Sequence, residues 1–265
     1  MSNRNKSIVW PMLNFIAYLV MITTNILANV IPFNGLNTGT VSDLYPNLFA
    51  PAGFTFAIWG VIYAALAAFV FFGFRGFDHG SLRLIYKRIS FAFILSSLAN
   101  AVWIFCWHYR LIPLSVILMI VILISLAFIT IQLKDLRLSR DENNFVRIPF
   151  GIYFGWITVA TIANIITMLV SLGWHGGGLS EELWTIIILL IGLAIGGVTV
   201  LRHHDFAYGA VLIWAYLGIL AKHLMTSGFK GDYPGVILTV SLSLGLLAVL
   251  EGFVLYLNHR RTKRR

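Results

Sequence analysis

Charge is the first thing this sequence is short of. Of its 265 residues only 11% are Asp, Glu, Lys or Arg and just 10 are acidic, while 59% are hydrophobic. A soluble domain cannot hide that much apolar surface, so water is excluded as the solvent of the fold and a lipid bilayer is implied. Cysteine is scarcer still: Cys106 stands alone, which rules out an internal disulfide and any multi-cysteine metal site. A serine-nucleophile motif, a phosphate-binding loop, an intramembrane pair of carboxylates and a zinc signature are also missing. These absences argue against a hydrolase or an ATP-driven pump. The expectation is a protein that binds rather than one that supplies its own acid and base.

What is present is a series of apolar runs, at about 8–31, 54–74, 88–108, 112–133, 148–171, 183–201, 207–225 and 235–257. Each can cross a hydrocarbon core of roughly 30 Å as a helix. The first run is longer than a signal-peptide core and lacks an A-x-A site, so it is expected to be a retained helix. The fold class is therefore all-α, an integral membrane protein of about eight transmembrane helices. The connecting segments alternate in basic content, with sixteen Lys and Arg on one side against Arg110, Lys222 and Lys230 on the other. That bias puts both termini in the cytoplasm. It also accounts for the net charge of +9 as a topology signal, so no nucleic-acid partner is expected, and the "RRTKRR" tail can touch anionic membrane lipids. The expected location is a bacterial plasma (inner) membrane, crossed many times.

The longest external connection, about 32–53, is rich in Gly, Pro, Asn and Thr and carries only Asp43 as charge. A loop of this length either lids a site or packs over the bundle. Beneath it, polar and aromatic residues recur at helical spacing. Helix one carries Asn14, Tyr18, Asn25 and Asn29; helix two Phe56, Trp59 and Tyr63; helix three Asn100, Trp103 and Trp107; helix five Tyr153, Trp156, Ala160 and Asn164. Intervals of three, four and seven put each set on one face. Lipid-facing asparagine is costly, so these faces are expected to turn inward. Together they suggest an aromatic-walled cavity in the outer half of the bilayer, suited to a flat, largely apolar ligand. Core packing is the alternative for each tryptophan taken singly.

Three of these segments carry a resemblance. "PAGFTFAIWGVIY" with Trp59 and Tyr63, "LANAVW" with Asn100 and Trp103, and "YFGWITVATIAN" with Tyr153, Trp156, Ala160 and Asn164 resemble motifs of the TspO/MBR family, the tryptophan-rich sensory and translocator (peripheral benzodiazepine receptor-like) proteins. The likeness covers residues 1–171 as a five-helix bundle with its external loop. Residues 172–265 add three helices and a basic tail, as in a longer bacterial branch. The family's usual tryptophan before helix two is not in register here, Phe54 being the nearest substitute, and no sterol pattern follows Asn164. The resemblance implies binding of porphyrin or haem-type tetrapyrroles, with Phe56, Trp59, Tyr63, Asn100, Trp103, Tyr153, Trp156, Ala160 and Asn164 as ligand-binding residues. It further implies roles in tetrapyrrole transport, stress sensing or light-dependent porphyrin breakdown. No cofactor is required.

The last three helices add separate signals. Gly192 and Gly196 make a G-x-x-x-G ridge for close helix approach, within the bundle or in a homo-oligomer. His203, His204 and Asp205 fall at the cytoplasmic boundary without a third metal ligand in pattern. Lys222 and His223 mark the outer end of helix seven, where they could meet an anionic ligand. Glu251 is the deepest acid and is expected to partner Arg202 or the histidines. His108, His175 and His223 fall on the external side, where one could approach a bound porphyrin. The leading expectation is a sensory or binding protein for a hydrophobic small molecule. The rivals are a transporter of a small amphipathic solute and a membrane enzyme acting on a porphyrin or lipid.

Overall fold

The computed structural model describes residues 3–75, 80–174 and 176–263. His175 and the terminal Arg264 and Arg265 therefore lie outside the described residues. Among the described residues, eight helices are long and apolar enough to span a bilayer. These are α1 (Asn3–Val30), α2 (Ile58–Gly73), α3 (Gly80–His108), α4 (Ile112–Lys134), α5 (Ile148–Ser171), α6 (Glu181–His203), α7 (Phe206–Leu224) and α8 (Pro234–Lys263). No strand occurs among the described residues. An even number of crossings returns both ends to one face, which the charge bias identifies as cytoplasmic.

The helix boundaries follow local chemistry. Pro113 and Pro149 sit in the first turns of α4 and α5, where a missing N–H costs nothing. Ser180 caps α6 by accepting from the Leu183 N–H, and His204 in the left-handed region ends it. Asp205 then caps α7 through the Ala207 and Tyr208 N–H groups, at 3.0 and 3.2 Å. Burial pushes the Asp205 carboxyl above the usual range, opposed by Arg147 and by those two N–H donors.

Helices α1 to α5 close into a ring: α1 packs on α3, α3 on α4, α4 on α5, α5 on α2, and α2 again on α1. The other three form a wing. Helix α7 lies against α5, and α6 and α8 pack on α7 and on each other. Lipid tails are as apolar as leucine, so helices in a bilayer gain from close approach and polar contacts rather than from leaving water. Small residues sit where this matters. A Cβ on Gly155 would come 2.7 Å from the Tyr208 carbonyl oxygen, so α5 and α7 meet backbone to backbone. On α6, the Gly196 Cβ position is 2.5 Å from Leu212, and that of Gly192 is 3.0 Å from the Tyr216 hydroxyl. The G-x-x-x-G ridge thus serves packing within the chain.

Gly155→Ala should lower stability by about 1–3 kcal/mol through overpacking, because the atom it meets is backbone. Gly245 has open space around its Cβ position, so Gly245→Ala should be silent. Thermal unfolding of the detergent-purified variants checks this; equal melting temperatures would remove the argument for a tight α5–α7 seam.

Candidate functional site

The external loop is tied down rather than loose. It carries a short helix, Thr38–Asp43, capped by the Asn37 side chain. His108, fully buried at the end of α3, is its main anchor. Its Nδ1 lies 3.3 Å from the Phe33 carbonyl, which can only accept; Nδ1 therefore carries the proton, and Nε2 accepts from the Thr38 hydroxyl at 3.2 Å. The Trp107 indole N–H donates to the Thr38 carbonyl, and the Asn34 amide donates to the His108 carbonyl. At its other end the Ala52 N–H donates to Gly218 of α7. Lys222 pairs with Asp43 at 3.5 Å, an exposed contact of small energetic weight. The loop thus both packs on the bundle and covers its outer end.

Beneath this cover, Trp59 stands at the centre. Its ring lies 5.5 Å from Tyr63, 6.0 Å from Trp103, and 6.2 Å from both Tyr153 and Trp156, centroid to centroid. These separations suit offset and edge-on aromatic contacts. The buried asparagines around the cluster are bonded to protein groups. Asn25 donates to Asn100 at 2.8 Å, and Asn100 donates to the Tyr153 hydroxyl at 3.1 Å, which links α1, α3 and α5. Trp103 donates to Asn164 at 3.0 Å, and the Asn164 amide donates to Ser115 at 2.9 Å, which links α3, α5 and α4. Neither network includes a side chain of α2. That helix and its 3-10 lead-in, Gly53–Ala57, are held through backbone carbonyls: Thr55 accepts from Trp214, Tyr63 from Tyr18 and Phe69 from Tyr86.

Two spaces adjoin the cluster. A groove of about 540 Å³ opens between α1 and α2 under the loop, bordered by Asn25, Asn29, Phe56, Trp59, Gly60 and Tyr63. A cavity of only about 50 Å³ lies deeper, among Trp59, Trp103, Trp156, Ala160 and Asn164. Thr38, Phe56 and Trp59 border both, so these three side chains are the partition. On the cavity side, the Trp156 indole N–H is buried and has no hydrogen-bond partner among the described residues. An unmet buried donor is uncommon and costs free energy.

A sequence model of the TSPO-like protein family matches residues 11–253. The chain belongs to the TSPO-like family. No curated protein and no solved structure shows a significant match to it. The family match takes in the wing as well as the five-helix ring, and it identifies this TSPO-like chain as a membrane binding or sensory protein in general terms.

The residues singled out in the sequence divide by position. Phe56, Trp59 and Tyr63 line the groove, and Phe56 and Trp59 also line the cavity with Trp103, Trp156, Ala160 and Asn164. Asn100 and Tyr153 border neither space; they form the bonded support under Trp59. Phe54 is half exposed and meets Trp214 edge-on, away from the cluster. His223 is buried against Phe229 and Tyr233, so neither it nor His108 faces the cavity. Glu251 differs from expectation. It is buried against Gly209, and its two carboxylate oxygens have no hydrogen-bond partner among the described residues, so neither Arg202 nor a histidine bonds it. Ser115 and Thr38 were not singled out beforehand. Ser115 shares the apolar run of α4 with Ser125 and Thr130, so the sequence holds no signal that sets it apart.

Replacing Asn100 by Ala removes the shared member of the first network, taking the donor from the buried Tyr153 hydroxyl and leaving the Asn25 amide with the Met21 carbonyl. The expected cost is about 1–2 kcal/mol. Asn29 is exposed and donates only to the Asn25 carbonyl on its own helix, so Asn29→Ala should cost much less. Paired unfolding curves separate the two, and similar shifts would mean the Asn25–Asn100–Tyr153 chain adds little.

Proposed function

We propose that this protein holds a flat aromatic ligand of tetrapyrrole type in the outer groove between α1 and α2, and reaches the inner cavity by displacing Trp59. The observation that carries the reading is the shared partition. The groove alone has the volume of a small-molecule site, whereas the cavity has room for little more than a water molecule. Rotation of Trp59 and Phe56 joins them. A ring system entering along Tyr63 and Phe56 would then stack against Trp103 and Trp156. The unmet Trp156 N–H becomes the donor waiting for a polar substituent, a role that Asn25, Asn100 and Asn164 do not fill while bonded to protein groups. The family's association with porphyrin-like ligands, implied by the sequence resemblance, agrees with this shape. The setting is a bacterial-type plasma membrane, with the groove opening to the outer side.

The test is titration of the detergent-purified protein with protoporphyrin IX, following tryptophan quenching and porphyrin absorbance. Saturable binding is expected. Trp156→Phe, which keeps an aromatic ring but loses the N–H, should weaken it by about fivefold, the equivalent of one hydrogen bond. Gly60 has open space at its Cβ position and borders the groove, so Gly60→Leu should obstruct binding without disturbing the fold. Non-saturable partitioning, unchanged by either substitution, would return the aromatic cluster to a packing role.

A further inference from the structure

A recess of about 1020 Å³ lies on the opposite, cytoplasmic side. Its origin is topological. Helices α2 and α7 both pack on α5, and the hydrogen bonds that tie α7 to the approach to α2 lie from mid-membrane outward, where Trp214 bonds Thr55 and Gly218 bonds Ala52. Towards the cytoplasm a cleft remains between them, with α5 as its floor at Ile148 and Ile152. Ala207, Ala210 and Trp214 form one wall, and Ile58 and Val61 the other. From Phe206 to Trp214 the apolar wall rises about 12 Å, comparable to the half-thickness of a hydrocarbon core of roughly 30 Å.

The mouth of the cleft has a different character. Lys134, Arg137, Arg140 and Arg147 border it. Arg147 is fixed by donating to the His203 carbonyl at 2.6 Å. The other three cations are exposed and make no ion pair among the described residues. The nearby acids do not neutralise them. Glu142 is buried and spends its carboxylate on the Ser139 N–H and the Ser81 hydroxyl, completing a capping box that fixes the loop. Asp205 caps α7, and the exposed Asp135 and Asp141 do not border the recess.

We propose that this cleft binds an anionic phospholipid of the cytoplasmic leaflet. Its phosphate would sit among Lys134, Arg137 and Arg140, and an acyl chain would lie along Ala207, Ala210 and Trp214. Charge complementarity selects the headgroup, since basic recesses between helices on this side attract anionic lipid. Val61, Ile148 and Phe206 along the cleft are apolar yet exposed on the protein surface, and exposed apolar side chains of a spanning bundle face lipid tails, which selects a lipid over a soluble phosphate.

Trp214 provides the readout. The full chain is reconstituted in phosphatidylcholine vesicles containing a minor fraction of either dibrominated phosphatidylglycerol or dibrominated phosphatidylcholine. The quenching assigned to Trp214 is the difference between wild type and Trp214→Phe. Stronger quenching by the brominated phosphatidylglycerol is expected, and the preference should fall about tenfold in an Arg137→Gln/Arg140→Gln double variant. Arg83 and Arg88 are exposed in the cytoplasmic half of α3 but do not border the cleft. The double change Arg83→Gln/Arg88→Gln should leave the preference intact. Equal quenching by the two lipids, or equal loss in both double variants, would overturn the site, the second by reducing it to general surface attraction.

Discussion

The close approach of α5 to α7 is the constraint on which the rest of the structure depends. Helix α5 is the common wall of the ring and the wing, packing on α2 and α4 on one side and on α7 on the other. In lipid no apolar face has a reason to leave its surroundings, so a helix contacted from several directions needs short distances and polar partners. Helix α5 has both. Gly151 and Gly155 face Asp205 and the Tyr208 backbone without intervening side chains, while Tyr153 and Asn164 anchor the two hydrogen-bonded networks on the ring side. Almost every group proposed to contact a ligand is either on α5 or one layer from it.

The wing acquires a purpose from this arrangement. Through α7 it grips the end of the external loop at Ala52 and the lead-in of α2 at Thr55, and it touches the loop helix through Lys222 and Asp43. Gly218 makes the grip possible, because Thr55 occupies the space its side chain would need. The three additional helices therefore do more than widen the molecule. They hold the chain at Ala52 and Thr55, immediately before Phe56 and Trp59.

The architecture was largely legible in the sequence because its signals are one-dimensional. Run length gives a span, alternating Lys and Arg give orientation, and recurrence at three and four gives the faces of Trp59, Trp103 and Trp156. What was not legible depends on pairs distant in the chain. The spacing of Asn25, Asn100 and Asn164 says that they turn inward, but not that they bond to protein groups: two share the first network and the third pairs with Trp103 and Ser115. The division of the outer space into groove and cavity follows from where Thr38, Phe56 and Trp59 stand relative to one another. The cytoplasmic cleft arises between α2 and α7, helices more than a hundred residues apart, and no local pattern announces it. Glu251 shows the same limit: the sequence marks it as a deep acid, but only the fold reveals Gly209 beside it and no hydrogen-bond donor among the described residues.

Helix α2 is the element that the two recesses have in common. Phe56, Trp59, Gly60 and Tyr63 turn towards the outer groove, while Ile58 and Val61 turn towards the cleft. Its side chains belong to neither hydrogen-bonded network, so its position rests on stacking, on carbonyl contacts and on the packing at its two faces. Displacing Trp59 removes contacts from the first of these supports; filling the cleft adds contacts to the last. Two occupants that favour different positions of α2 oppose each other, and two that favour the same position reinforce each other by an equal factor in both directions. Coupling between the two sides of the membrane then requires no signal to cross the core of the bundle, only a helix with few fixed bonds and a recess on each face.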